Sequence, residues 1–167
     1  DEKKIAAFEK AIELNPNYPD GLVAYSYFLM SMGRRDEAVE QIERAVELEP
    51  FDGLYQQWYG FILLYARRYD DAIAQFRNAL RTDPNRWGSH FGLSNAFHEK
   101  GMYEESLAAL AKGYNARGRP EVAQVLARGY AEAGYAGAWS SAADMFAERR
   151  AAQQEGVAKL YMWAGKE

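Results

Sequence analysis

The run Arg34-Arg35-Asp36-Glu37-Ala38-Val39-Glu40-Gln41-Ile42-Glu43-Arg44-Ala45 returns 34 residues later as Arg68-Tyr69-Asp70-Asp71-Ala72-Ile73-Ala74-Gln75-Phe76-Arg77-Asn78-Ala79. The same offset relates Pro50 to Pro84 and continues to Met102-Tyr103-Glu104-Glu105-Ser106-Leu107. A period of this length means that one small unit is stacked on copies of itself, because a unit so short cannot bury its apolar face alone. Apolar residues three and four apart inside each period read as two amphipathic helices.

Two antiparallel helices approach closely only where small side chains meet at the crossing. Three successive periods supply them at equivalent positions: Ser26, Ala38 and Ala45; Gly60, Ala72 and Ala79; Ser94, Ser106 and Gly113. Large residues fill the layers between: Tyr25, Leu29 and Ile42; Tyr59, Leu63 and Phe76; Leu93, Phe97 and Leu110. Gly33, Gly101, Gly134 and Gly165 share the slot after a first helix, where a left-handed C-cap is wanted, and Arg67 fills it in the middle repeat. Pro50 and Pro84 close the second helices, while Asp36 and Asp70 stand where a second helix takes an N-cap or a first-turn carboxylate.

On these residues the chain resembles the tetratricopeptide-repeat family along nearly its whole length. The resemblance implies an all-α, right-handed superhelical solenoid of antiparallel helix pairs, with about nine or ten helices here. The expected map is a single domain over 1–167. Residues 1–18 are a half-repeat, and 19–52, 53–86 and 87–118 are full repeats. A divergent repeat follows over 119–150, with Trp139 where a small residue belongs, and 151–167 is a half-repeat or capping helix. Half-repeats at both ends suggest a piece of a longer array.

Composition excludes several functions. The chain has no cysteine, so it has no disulfide framework, thiolate site or cysteine nucleophile. Net charge is −4 with a pI near 5.3, which argues against nucleic acid as partner. Residues 19–52 alone hold eight acidic and three basic side chains, mostly on one helix with a solvated outer face. The longest apolar run, 61–66, is too short to insert in a membrane, and no signal peptide opens the chain. A cytoplasmic location is the expectation. His90 and His98 would stand about 80° apart on one helix and lack further ligands, so no metal is expected. Carboxylate pairs such as Asp70-Asp71 and Glu104-Glu105 begin helices, where the dipole accounts for them. Arg67, Arg68, Arg77 and Arg81 form the one cationic cluster. No catalytic residue and no cofactor is expected.

The resemblance places first helices on the concave face, where inward positions form one stripe. It comprises Asp20, Val23, Tyr27, Met30 and Ser31; Leu54, Gln57, Phe61, Leu64 and Tyr65; Gly88, Phe91, Asn95, His98 and Glu99; and Glu121, Gln124, Arg128 and Glu132. Aromatic and methionine side chains on a groove are typical anchors for a docked segment. The candidate partner-binding residues are therefore Val23, Tyr27, Met30, Gln57, Phe61, Leu64, Tyr65, Phe91, Asn95, His98, Gln124 and Arg128, for a protein or peptide of apolar or mixed character. Packing between neighbouring first helices is the competing reading. The carboxylate-binding pattern of the family's chaperone-binding members is absent, since its positions hold Val23, Tyr27, Trp58, Gly88 and Gly92. An asparagine ladder is absent too, its positions being Ala24, Trp58, Gly92 and Val125.

Residues 126–165 more weakly resemble repeat regions of bacterial multidomain regulators. Two alternatives to the groove follow. One is a self-assembling scaffold, a homodimer burying Ile5, Phe8, Leu160 and Trp163 of the terminal helices. The other is a regulatory segment of a larger bacterial signalling protein.

Overall fold

The structure, a computed structural model, describes residues 2–164, with side chains described through residue 151. It is helical throughout: α1 (Glu2–Leu14), α2 (Pro19–Ser31), α3 (Arg35–Leu48), α4 (Gly53–Tyr65), α5 (Tyr69–Thr82), α6 (Trp87–Glu99), α7 (Tyr103–Ala116) and α8 (Pro120–Ala164). The chain divides into two compact units, Asp1–Arg117 and Gly118–Glu167.

In the first unit α2/α3, α4/α5 and α6/α7 are helical hairpins closed by the same turn. Gly33 N–H donates to Met30 O and Arg34 N–H to Leu29 O. The pattern repeats with Arg67 and Arg68 onto Leu64 and Leu63, and with Gly101 and Met102 onto His98 and Phe97. This pair of bonds requires a left-handed residue at its first donor. Gly33 and Gly101 supply it with φ of 75° and 72°, whereas Arg67 is forced to 65°. The second donor (Arg34, Arg68 or Met102) is already the N-cap of the next helix. Asp36 and Asp70 therefore do not cap. They lie in the first turn, where their charge favours the positive helix end.

All nine expected small residues are buried, and so are their large companions except the half-buried Tyr59. In the third hairpin the crossing is polar, with Ser94 Oγ 3.1 Å from Ser106 Oγ and the Ser106 hydroxyl donating to the Ser94 carbonyl at 2.9 Å. Successive hairpins meet through their first helices, α2 on α4 and α4 on α6, and each second helix meets the following first helix. No two second helices touch among the described residues. First helices are therefore closer together than second helices, which puts them on the inner side of the unit's curve. The joint between the first two hairpins carries a bond from the Tyr59 hydroxyl to Glu43.

Phe76 on α5 is completely buried against two glycines on the flanking first helices. A Cβ at Gly60 would come within 2.6 Å of its ring, and one at Gly92 closer still. Only glycine lets α4 and α6 both close on that ring.

The second unit departs from the expected map. Helix α8 breaks only at Ala133 and Gly134, where φ is −143° and 66°. The two arms fold back on each other, so nine helical segments occur among the described residues. Trp139 does not enter the crossing and is 43% exposed; Ala138 is buried instead. Helix resumes directly after Gly134, one residue sooner than after Gly33, which advances the inward position by one. Gly129 and Gly137 make the close approach, each so near the other's carbonyl oxygen that a Cβ would not fit. No boundary appears near residue 150, because Ala147 to Glu155 contains only good helix formers. Gly165 lies outside the described residues, as do the side chains of Leu160 and Trp163.

Replacing Arg67 with Gly should raise stability by about 0.5–1 kcal/mol, net of the extra unfolded-chain entropy, and Tm by about 1–4 °C. The reverse change, Gly101→Arg, should lower it comparably in thermal melts. Gly92→Ala should cost about 1–3 kcal/mol in denaturant titration by overpacking Phe76. The double variant with Phe76→Leu should lose less than the sum of the two single losses.

Candidate functional site

Each first helix buries one face against its own hairpin partner and leaves the next stripe toward the inner side. On α2 Val23, Tyr27 and Met30 are half-buried. On α4 Gln57 and Phe61 are half-buried and Tyr65 is 52% exposed. On α6 Phe91 is half-buried, while Asn95 and His98 are exposed.

The rings form a continuous ridge across two helices. Tyr27 meets Trp58 edge-on at 5.5 Å, and Trp58 lies 6.4 Å from Phe61. Phe61 stacks on Tyr65 at 6.4 Å and turns an edge to Phe76 at 5.0 Å. These are the offset and edge-to-face arrangements that aromatic quadrupoles favour. The sequence marks Trp58 only by the family's amide and basic positions that it occupies. Its signal as a groove residue was its place three residues before Phe61, on the same helix face.

Several other expected contacts also have neighbours within the chain. Leu64 is only 8% exposed and belongs to the core, because adjacent helical residues point about 100° apart and Tyr65 takes the outward direction. It contributes only a small edge to the surface. The Gln57 carbonyl accepts from the Ser89 hydroxyl at 3.2 Å, and its amide lies over Gly88, so it spaces α4 from α6. Phe91 joins a separate cluster, edge-on to Trp87 at 5.7 Å and to Tyr114 at 5.0 Å, with the Arg117 guanidinium 4.8 Å from the Trp87 ring. The His98 ring lies 5.9 Å from that of Tyr103. Gln124 and Arg128 are exposed on the first arm of α8, in the second unit. His90 Nε2 is 2.9 Å from the Pro84 carbonyl oxygen, a structural role. No group of three or more His, Asp or Glu is placed to hold a metal among the described residues.

Polar bonds tie neighbouring repeats at the rim. The Tyr55 hydroxyl donates to Asp20 at 2.9 Å, the Tyr69 hydroxyl donates to Glu99 at 3.1 Å, and Lys100 pairs with Asp70. At the end of the ridge, Leu64, Tyr65, Arg67, Tyr69, Asn95 and Glu99 line an open pocket of about 350 Å³. Burial, and then the field of Tyr65, push the Tyr27 hydroxyl well above its usual range. Burial, and then the bond to Asp20, push Tyr55 up to about 12. Tyr59 is raised by burial and then by its bond to Glu43.

A stack of helical hairpins with an apolar inner face is the architecture of a helical-repeat binding or scaffold protein. Family patterns described as Tetratricopeptide repeat match residues 5–58 and 62–120. The chain belongs to the tetratricopeptide-repeat family. No curated protein matches it. Among solved structures it is similar to "Crystal structure of MamA", at 17% identity over 87% of this chain and 88% of that one, with a TM-score of 0.68. It is also similar to "MamA RS-1 ArsTM double mutant" (16% identity, 89% and 86% covered, TM-score 0.68) and "MamA MSR-1 C2" (22% identity, 71% and 68% covered, TM-score 0.60). At these identities the likeness concerns the fold. No helix among the described residues is long and apolar enough to cross a membrane.

The tyrosines set a pH dependence. A hydroxyl whose folded pKa lies above the unfolded value near 10 holds its proton more tightly in the fold. The stability it contributes is present below pH 10 and is lost as pH climbs through the folded value. The denaturation midpoint should therefore be level from pH 8 to 9.5 and fall between about pH 10 and 12, and Tyr55→Phe should flatten that fall.

Proposed function

We propose that the inner face of the first unit binds a segment of a partner protein, extended or helical, along Tyr27, Trp58, Phe61 and Tyr65. The observation that carries this reading is the unbroken aromatic ridge. It spans two first helices, remains accessible at Tyr65 and is held from beneath by Phe61 on Phe76. Rings fixed in this way lose little side-chain entropy when a ligand covers them, which favours binding. Val23 and Met30 extend the apolar surface along α2, and Met30 adapts to irregular shapes. The role is binding without catalysis. The carboxylates Asp20 and Glu99 of this face are engaged by Tyr55 and Tyr69, and no base stands beside a nucleophile in it among the described residues.

Peptides selected from a displayed random library against the wild-type chain provide the test. Tyr65→Ala should weaken their binding about tenfold with Tm nearly unchanged, since an exposed aromatic anchor carries binding energy but little fold stability. Tyr27→Ala should weaken them as well. Undiminished affinity in both variants, with a loss on changing the exposed α3 residue Glu40, would show that the ridge is not the binding surface.

A further inference from the structure

Arg67 is the one non-glycine residue with positive φ among the described residues, in a turn position that the first and third hairpins give to glycine. Strain of this kind at an exposed position has no packing return, and it gathers at sites where a side chain is needed for another purpose. Two other members of its cationic cluster are used internally: Arg68 pairs with Asp71 at 2.8 Å, and Arg77 lies 5.9 Å from the centre of the Phe97 ring. Arg67 has no carboxylate partner among the described residues. Instead it lines the open pocket at the end of the ridge, with Tyr65 on one side and the exposed amide of Asn95 on another.

The pocket's only carboxylate, Glu99, already accepts the Tyr69 hydroxyl. Two guanidinium groups, Arg67 and Arg35, lie close enough to Tyr69 to oppose the field of Glu99 there. Lys100, next along the chain, is neutralised by Asp70. The pocket lining thus holds one guanidinium and one carboxylate, the carboxylate already bonded, beside an apolar surface.

We propose that Arg67 is a specificity-determining contact of the groove, binding an aspartate or glutamate side chain of the docked segment next to the apolar residue seated on Tyr65. The inference rests on the groove reading and narrows it: the partner segment is apolar with an acidic residue at one end. A guanidinium offers two parallel N–H donors to a carboxylate, which favours an acidic side chain over an amide of the same shape.

Random peptides displayed for selection on wild-type protein, Arg67→Gly, Arg67→Lys and Tyr65→Ala distinguish the outcomes. Wild type should enrich peptides with Asp or Glu flanking an aromatic or aliphatic residue. Arg67→Gly should lose that enrichment and bind the wild-type peptides about tenfold more weakly, as expected for a lost charge-assisted contact. It should bind their Asn or Gln versions unchanged, while melting at a higher temperature than wild type. Arg67→Lys should retain part of the preference, and added salt should shrink it in wild type. Equal acidic enrichment by wild type and Arg67→Gly would overturn the assignment of Arg67 even if Tyr65→Ala still weakened capture. Loss of no binding in Tyr65→Ala would overturn the groove reading and this inference with it.

Discussion

Each hairpin of the first unit closes only because nothing larger than serine stands where its helices cross. Ala38 and Ala45, Ala72 and Ala79, and Ser106 and Gly113 are all buried at that contact. The close approach lets a single-residue left-handed turn join the helices, and the turn fixes where the next helix begins. From that register follows the alternation of faces, with Leu29, Leu63 and Phe97 inward to the hairpin and the stripe of Tyr27, Phe61 and Asn95 toward the inner side. The second unit illustrates the same dependence by deviation. A helix resuming one residue early after Gly134 moves Trp139 out of the crossing and Ala138 into it.

The inner face is therefore a product of the core rather than an addition to it. Phe61 links both, with one edge on Phe76 in the interior and one face on Tyr65 at the surface. Trp58 is positioned between Tyr27 and Phe61 by the meeting of α2 and α4, so the ridge exists only when two repeats are stacked. A single hairpin would present separate rings. At the rim the joints are polar, a hydroxyl on a carboxylate or an ammonium on a carboxylate, and these bonds take up charged groups that a ligand would otherwise meet.

Most of the first unit was legible because a period of 34 residues repeats small, large and turn positions in phase, and each has a strict steric meaning. The candidate site was legible only as a stripe. Spacing says which residues point to one side of a helix, but neighbouring helices decide how much of each remains uncovered. That is why Leu64 proved to be core, Gln57 a spacer against Ser89 and Gly88, and Phe91 part of a cluster with Trp87 and Tyr114. Arg67 was visible as a departure from glycine, yet its nearness to Tyr65 and Asn95 depends on α6 lying beside α4. Past residue 118 the pattern weakens, and a long run of helix-forming residues conceals where repeats would begin or end.

The ring of Phe76 and the two glycines it rests on have a meaning for descent as well as for packing. A side chain at position 60 or 92 is excluded while 76 is aromatic, and a smaller residue at 76 leaves a void while both glycines remain. No one of the three positions has a neutral single step available to it. In diverging relatives they are expected to change together or not at all, so that three residues from three different helices would be inherited as one character.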